Sequence, residues 1–240
     1  MIRIKKLTML MAILATLALG AGTALAVPIP NGNFELGNTA FTSAYTFHDP
    51  YPGANAPGEG LWDEGTYGIG TDPFNYHSLW TSFGDHTTGT GNMMIVNGDI
   101  LAGVEVWASP ESPDTIPVIN GQTYYFSAWL TSVYPPPVGS DPIAPATLAF
   151  SINDVQIDGD FTVSGPVGTW QLFYVGWNSG VATTAQLSLI NRNVIASGND
   201  FALDDISLDT KVPVPEPGIM ILLGIAMSAI GIAYPFVRKI

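Results

Sequence analysis

The run from Gln122 to Ser132, "QTYYFSAWLTS", decides the fold class. Tyr124, Phe126, Ala128 and Leu130 fall on one side of an extended chain, and Tyr125, Ser127, Trp129 and Thr131 on the other. A period of two with this aromatic content suits a pleated strand and is hard to place on a helix. The apolar set should face a core and the mixed set should face outward or meet a second layer.

Working outward, "NMMIVNG", "VEVWAS", "ATLAFSIN", "TWQLFYVGW", "TAQLSLIN" and "FALDDISL" have the same character. They are separated by Gly- and Pro-rich segments and by turns such as Asn97-Gly98, Asn120-Gly121 and Asn153-Asp154. No amphipathic pattern of three helical turns interrupts them. Seven or more short strands with such turns predict an all-β, two-sheet antiparallel jelly-roll sandwich. Residues 37–91 alternate little and are rich in Gly, Pro, Thr and aromatics, so they are expected as long loops with one or two short strands.

Charge and cysteine content narrow the function. Between Val27 and Lys211 only Arg192 and Lys211 are basic, against 19 acidic residues. So acidic a body repels phosphate backbones, which argues against nucleic-acid binding, and it supplies oxygen ligands for hard cations. The chain has no cysteine, which removes disulfides, thiolate metal sites and cysteine nucleophiles.

The six Trp and nine Tyr suggest surfaces that stack on sugar rings. Tyr45, Tyr51, Trp62, Tyr67, Tyr76 and Trp80, all in the loop-rich segment, are the candidate ligand-binding residues; packing beneath the loops is the competing role. Trp107, Trp129, Trp170 and Trp177 lie in strands, where core or sheet-surface packing is expected. Asp85-His86 in "GDHTTGTGN" has neither a nucleophile elbow nor a metalloprotease helix around it. Adjacent residues of an extended chain point apart, so Asp85 cannot readily orient His86, and a polar turn is the better reading. The pairs Asp63-Glu64, Asp158/Asp160 and Asp204-Asp205 do not by spacing make an acid and base across one glycosidic bond. No catalytic residue is therefore assigned, and a carbohydrate-active hydrolase remains the weaker alternative.

Three segments, "NGNFELG" (31–37), "GDHTTGTGNMMIVNG" (84–98) and "GNDFALDDISL" (198–208), together resemble the galactose-binding-like jelly-roll superfamily, which contains many carbohydrate-binding modules. The resemblance implies a structural calcium joining the first and last strands, carried here by Glu35 and an aspartate of "LDDIS". If Ile206 and Leu208 face the core, strand parity puts Asp204 on their side and makes it the better ligand, with Asp85 a further donor. Simple hydrogen bonding of these carboxylates to backbone N–H groups is the alternative.

Both ends carry export features. "MIRIKKLTMLMAILATLALGAGTALA" (1–26) has a basic start, an apolar stretch and a small-residue site, so a signal peptide is expected, ahead of a domain at 27–211. In 212–240, "VPEPG" leads into 20 uncharged residues, Gly218 to Val237, enough for one transmembrane helix before Arg238 and Lys239. Pro215, Glu216 and Pro217 hold the preceding segment extended. A plain anchor has the same physics, but the pattern resembles the PEP-CTERM sorting signal of Gram-negative bacteria. That resemblance implies passage through the inner membrane, processing by an exosortase and delivery to the surface or matrix, in a setting of exopolysaccharide and biofilm. The expectation is thus an exported, non-catalytic protein that interacts with polysaccharide; a purely structural or adhesive matrix protein is the alternative.

Overall fold

A computed structural model describes residues 26–27, 29–49, 60–111, 115–134 and 144–214. The signal-like segment 1–25, Tyr51, and the C-terminal residues Pro215, Glu216, Pro217, Arg238 and Lys239 lie outside the described residues. Among those described, no helix is long and apolar enough to cross a membrane.

The strands in chain order are β1 (Ala26–Val27), β2 (Thr46–Phe47), β3 (Thr66–Gly70), β4 (Met93–Asn97), β5 (Glu105–Ala108), β6 (Ile116–Pro117), β7 (Thr123–Ser132), β8 (Thr147–Ile152), β9 (Val155–Thr162), β10 (Gln171–Asn178), β11 (Thr184–Ala185), β12 (Leu187–Asn191) and β13 (Phe201–Asp209). All six runs singled out beside "QTYYFSAWLTS" fall on strands. The larger sheet has the order β10-β7-β13-β4-β3-β2, with β1 also paired to β13; the smaller has β5-β12-β8-β9, and β11 pairs with β6. All pairings are antiparallel except β2 with β3. The result is the jelly-roll sandwich expected from the alternation.

The sheets meet through the residues that alternate inward. Tyr124, Phe126, Ala128 and Leu130 of β7 pack with Phe201, Leu203, Ile206 and Leu208 of β13 and with Leu148, Phe150, Leu187 and Leu189 of the opposing sheet. Asn153 and Asp154, both at positive φ (51° and 64°), make the tight turn that sets Ile152 opposite Val155. On its outer side the larger sheet carries a second, smaller core. There Leu61, Tyr76 and Trp80 of the segment after β2 cover Met93, Ile95 and Ala202. The segment expected as long loops with one or two short strands holds β2 and β3, and Leu61, Tyr76 and Trp80 make part of it a packed cover on that sheet face. Over β7 and β10 the described residues cover that face only in part: Ser127 and Thr131 are buried, whereas Tyr174 and Gly176 are exposed.

Candidate functional site

The three segments that carried the family resemblance meet at one place. β13 pairs with β4 through Phe201–Leu203 and with β1 through Leu208 and Asp209, which leaves a gap along its edge. Into that gap come the turns at 31–37 and 84–92. The Ile206 N–H donates to the Gly32 carbonyl at 2.8 Å, and Asn31 holds its own turn by accepting from Leu36 N and donating to Gly37 O.

β13 is bulged here. Asp204 opposes Trp129 and Ser207 opposes Ser127, so three steps on β13 match two on β7, with Asp205 at φ 45° taking the extra residue. The bulge corrects the parity argument for Asp204. Leu203 faces the core, Asp204 faces the opposite side with Trp129, and Ile206 and Leu208 face the core again only because the register has shifted. Asp204 is nonetheless 0% exposed, sealed by the 84–92 turn. Its Oδ2 accepts from His86 N at 2.9 Å and its Oδ1 from Asp205 N at 2.8 Å. Desolvation, helped by the charges of Asp205 and Asp85, pushes its carboxyl up to about 8.

Asp85 folds its turn around itself. Burial opposes its ionisation, but the N–H groups of Thr88 and Gly91 and the Thr88 hydroxyl outweigh that and hold it below the ordinary aspartate value. Glu35 Oε1 accepts from Asn92 N at 2.9 Å. Gly91 lets these two acids approach: a Cβ there would stand 2.1 Å from Glu35 Oε1 and 3.2 Å from Asp85 Oδ2. In kind, this donor set fits a hard cation: it is all oxygen, and among the described residues buried Asp204 is met by two backbone N–H groups alone. Among the described residues, however, no three His, Cys, Asp or Glu side chains are gathered as a metal cage. Glu35, Asp85 and Asp204 surround one junction without closing on a common point.

The loop aromatics behave differently from the sequence expectation. Tyr45, Tyr67, Tyr76 and Trp80 are all buried, Tyr45 and Tyr67 in the central core between the sheets and Tyr76 and Trp80 in the outer core. Tyr45 OH accepts from Asp99 N, Tyr67 OH donates to Asn38 Oδ1, Tyr76 OH to Ile69 O, and the Trp80 indole N–H to Asp200 Oδ2. An exposed stacking surface is thus excluded for these four: Tyr45 and Tyr67 pack in the central core, and Tyr76 and Trp80 fold down on the apolar outer face of β4. Trp62 stays 54% exposed, its ring 4.0 Å from that of His77.

The accessible aromatics lie instead on the partly covered half of the larger sheet. Cross-strand partners put Trp129 beside Leu172, Ser127 beside Tyr174, and Tyr125 beside Gly176 on one face. Tyr125 and Tyr174 meet edge to face at 6.3 Å, with Tyr174 46% exposed. At the other end His86 stacks on Trp129 at 3.8 Å and meets the edge of Trp170 at 5.9 Å. His86 is oriented by Asp205, not by its neighbour Asp85: Nδ1 lies 2.6 Å from Asp205 Oδ2, which also accepts from the Thr87 hydroxyl. Ser127 and Ser207 join hydroxyls at 2.8 Å between the two aromatic ends. The signal for this face was present in "QTYYFSAWLTS": the side not used for the core carries Tyr125 and Trp129, where a solvated face would be polar.

No protein-family model and no curated protein matches the chain. Among solved structures it is similar to the CBM22-1 xylan-binding domain of Paenibacillus barcinonensis Xyn10C, at 15% identity over 80% of this chain and 98% of that one, with a TM-score of 0.41. The family 16 carbohydrate binding module-2 gives 14% identity over 75% and 97%, with a TM-score of 0.40. A Stig cyclase, Fisc from Fischerella sp. TAU, gives 13% identity over 78% and 98%, with a TM-score of 0.48.

Proposed function

We propose that the protein is an exported, surface-sorted, non-catalytic component of the envelope or extracellular matrix that binds polysaccharide on the outer face of its larger sheet, over β7 and β10. The observation that carries this reading is the row of Tyr125 and exposed Tyr174 with the half-buried Trp129, stacked on one side by His86, and Trp170 on a face that also holds Leu172, Ser207 and Asp205. Ring faces receive the C–H faces of sugars, while the half-buried Asp205 and Ser207 offer partners to hydroxyls. Tyr125 and Trp129 are four residues apart on one strand, about 13 Å, which suits an extended chain of sugars better than a single ring. Electrophoresis through gels containing soluble polysaccharides tests it. Retardation by at least one glycan, lost in Trp129→Ala and Tyr174→Ala, is the expected outcome.

The burial of Tyr45, Tyr67, Tyr76 and Trp80 favours the second reading, a matrix protein that only self-associates. Unretarded migration in every glycan, together with concentration-dependent assembly, would establish that reading instead. Calcium at Glu35, Asp85 and Asp204 is part of the proposal as a structural ion that pins β13 to the 31–37 and 84–92 turns. Sorting by an exosortase through Pro215, Glu216 and Pro217 predicts a surface product without Arg238 and Lys239, which mass spectrometry of the protein's C-terminal peptide reads directly.

A further inference from the structure

A second group of oxygens lies at the opposite end of β13, where β4 ends. Phe201 opposes Val96, so Asp200 and Asn97 come next along the same ladder and share the face covered by the 60–83 segment. Asp200 is 5% exposed, Asn97 4% and Asn199 1%. Asp200 Oδ2 accepts from the Trp80 indole at 3.1 Å, and its Oδ1 faces the Gly98 N–H at 3.4 Å. Glu64 stands over the group from the covering segment, hydrogen-bonded to the Asn199 side chain and close enough to feel the charge of Asp99.

What distinguishes this group from an ordinary acidic cluster is the state of its two buried amides. The Asn97 Nδ2 donates to Leu61 O at 2.9 Å and the Asn199 Nδ2 to Asp99 O, which assigns both amide orientations. Both Oδ1 atoms are then buried with no hydrogen-bond partner among the described residues. A buried carbonyl oxygen without a donor is costly, on the order of 1–3 kcal/mol, and here two occur beside two carboxylates. Both atoms lacking a partner in this group are electron-pair donors. The two described basic residues are elsewhere: Arg192 pairs with Asp160 at 3.4 Å, and Lys211 follows the far end of β13, roughly 30 Å away by strand rise. His77, stacked on Trp80 at 4.7 Å, is biased to its neutral form by burial.

We propose that Glu64 and Asp200, with the side-chain oxygens of Asn97 and Asn199, bind a hard divalent cation of the calcium type, at a site separate from Glu35, Asp85 and Asp204. Two carboxylates neutralise the ion, two amide oxygens gain the partner they lack, and water completes the shell on the exposed Glu64 side. The ion would tie the 60–65 segment to the junction of β4 and β13 and so fix the cover over the outer core.

Equilibrium dialysis of the full chain against calcium, after stripping with chelator, counts bound ions. Glu64→Gln and Asp200→Asn are each expected to bind one ion fewer per chain than the unaltered protein, or to bind that ion at least tenfold more weakly. Glu35→Gln should retain this ion. Glu64 is exposed, so its substitution leaves the fold intact and keeps the count decisive if Asp200→Asn, which retains an acceptor for Trp80, does not fold. An unchanged number of ions at unchanged affinity in Glu64→Gln overturns the proposal, as does an unaltered chain that binds no ion removed by either substitution.

Discussion

Gly91 has no room for a side chain, because the Glu35 carboxylate occupies the space where a Cβ would stand. Gly91→Ala must push Glu35 off Asn92 N, and a destabilisation of about 1–3 kcal/mol is expected, as for other forced overpacking. Urea unfolding checks it as a lower midpoint with unchanged slope. Gly89, at φ 77° with open space around its Cα, is a useful contrast: Gly89→Ala should cost about 1–2 kcal/mol through conformation alone. At this scale the residue types were legible and their companions were not. "GDHTTGTGN" announces a turn, but that His86 answers to Asp205 rather than Asp85 follows from a contact 119 residues apart in sequence. The missing signal for Asp204 was likewise positional, since a strand read by parity alone cannot reveal a bulge.

Within a single strand, β7 separates stability from recognition. Phe126 lies in the central core against Trp107 and Phe150, and Phe126→Ala should cost about 3–5 kcal/mol. Tyr174, on the paired β10 and open to solvent, should cost within about 0.5 kcal/mol when changed to Ala. Thermal denaturation of the two variants beside glycan retardation gives opposite orders: the first loses stability, the second loses binding. Period-two alternation located the seven strands named from sequence because it is a local consequence of the pleat. β9, with its "VQIDGDFT", escaped notice, since its side chains are mostly exposed and supply little apolar alternation. The 60–83 segment holds β3, within the one or two short strands expected there, but Tyr76 and Trp80 obey no period, and their burial comes from the apolar outer face of β4 beneath them.

Across the whole molecule the buried acids set the response to pH. In chelator, Asp204 is held up to about 8 and Asp200 to about 7, both chiefly by desolvation. Their unfolded counterparts ionise near the ordinary aspartate value. Between about pH 4 and pH 8 the native state therefore keeps protons that the unfolded state has released, and stability falls as pH rises through that window. A melting midpoint lower by several degrees at pH 8 than at pH 5 is expected, with the slope reduced in Asp204→Asn. Saturating calcium should raise the midpoint most at the upper end, where the carboxylates it meets carry their charge. An unchanged midpoint on adding chelator and then calcium would remove the ion from both acidic groups.

Composition and alternation by themselves determined that this chain is an acidic, cysteine-free β-sandwich built around the inward side of "QTYYFSAWLTS", because pleating and burial act over a few neighbouring residues. The family resemblance brought forward the three segments that meet at the β13 gap. Tertiary structure alone decided which aromatics are buried and which form a surface, where β13 bulges, and which acids lose their water. Those outcomes depend on what another strand or loop, many residues distant, places on top of each side chain.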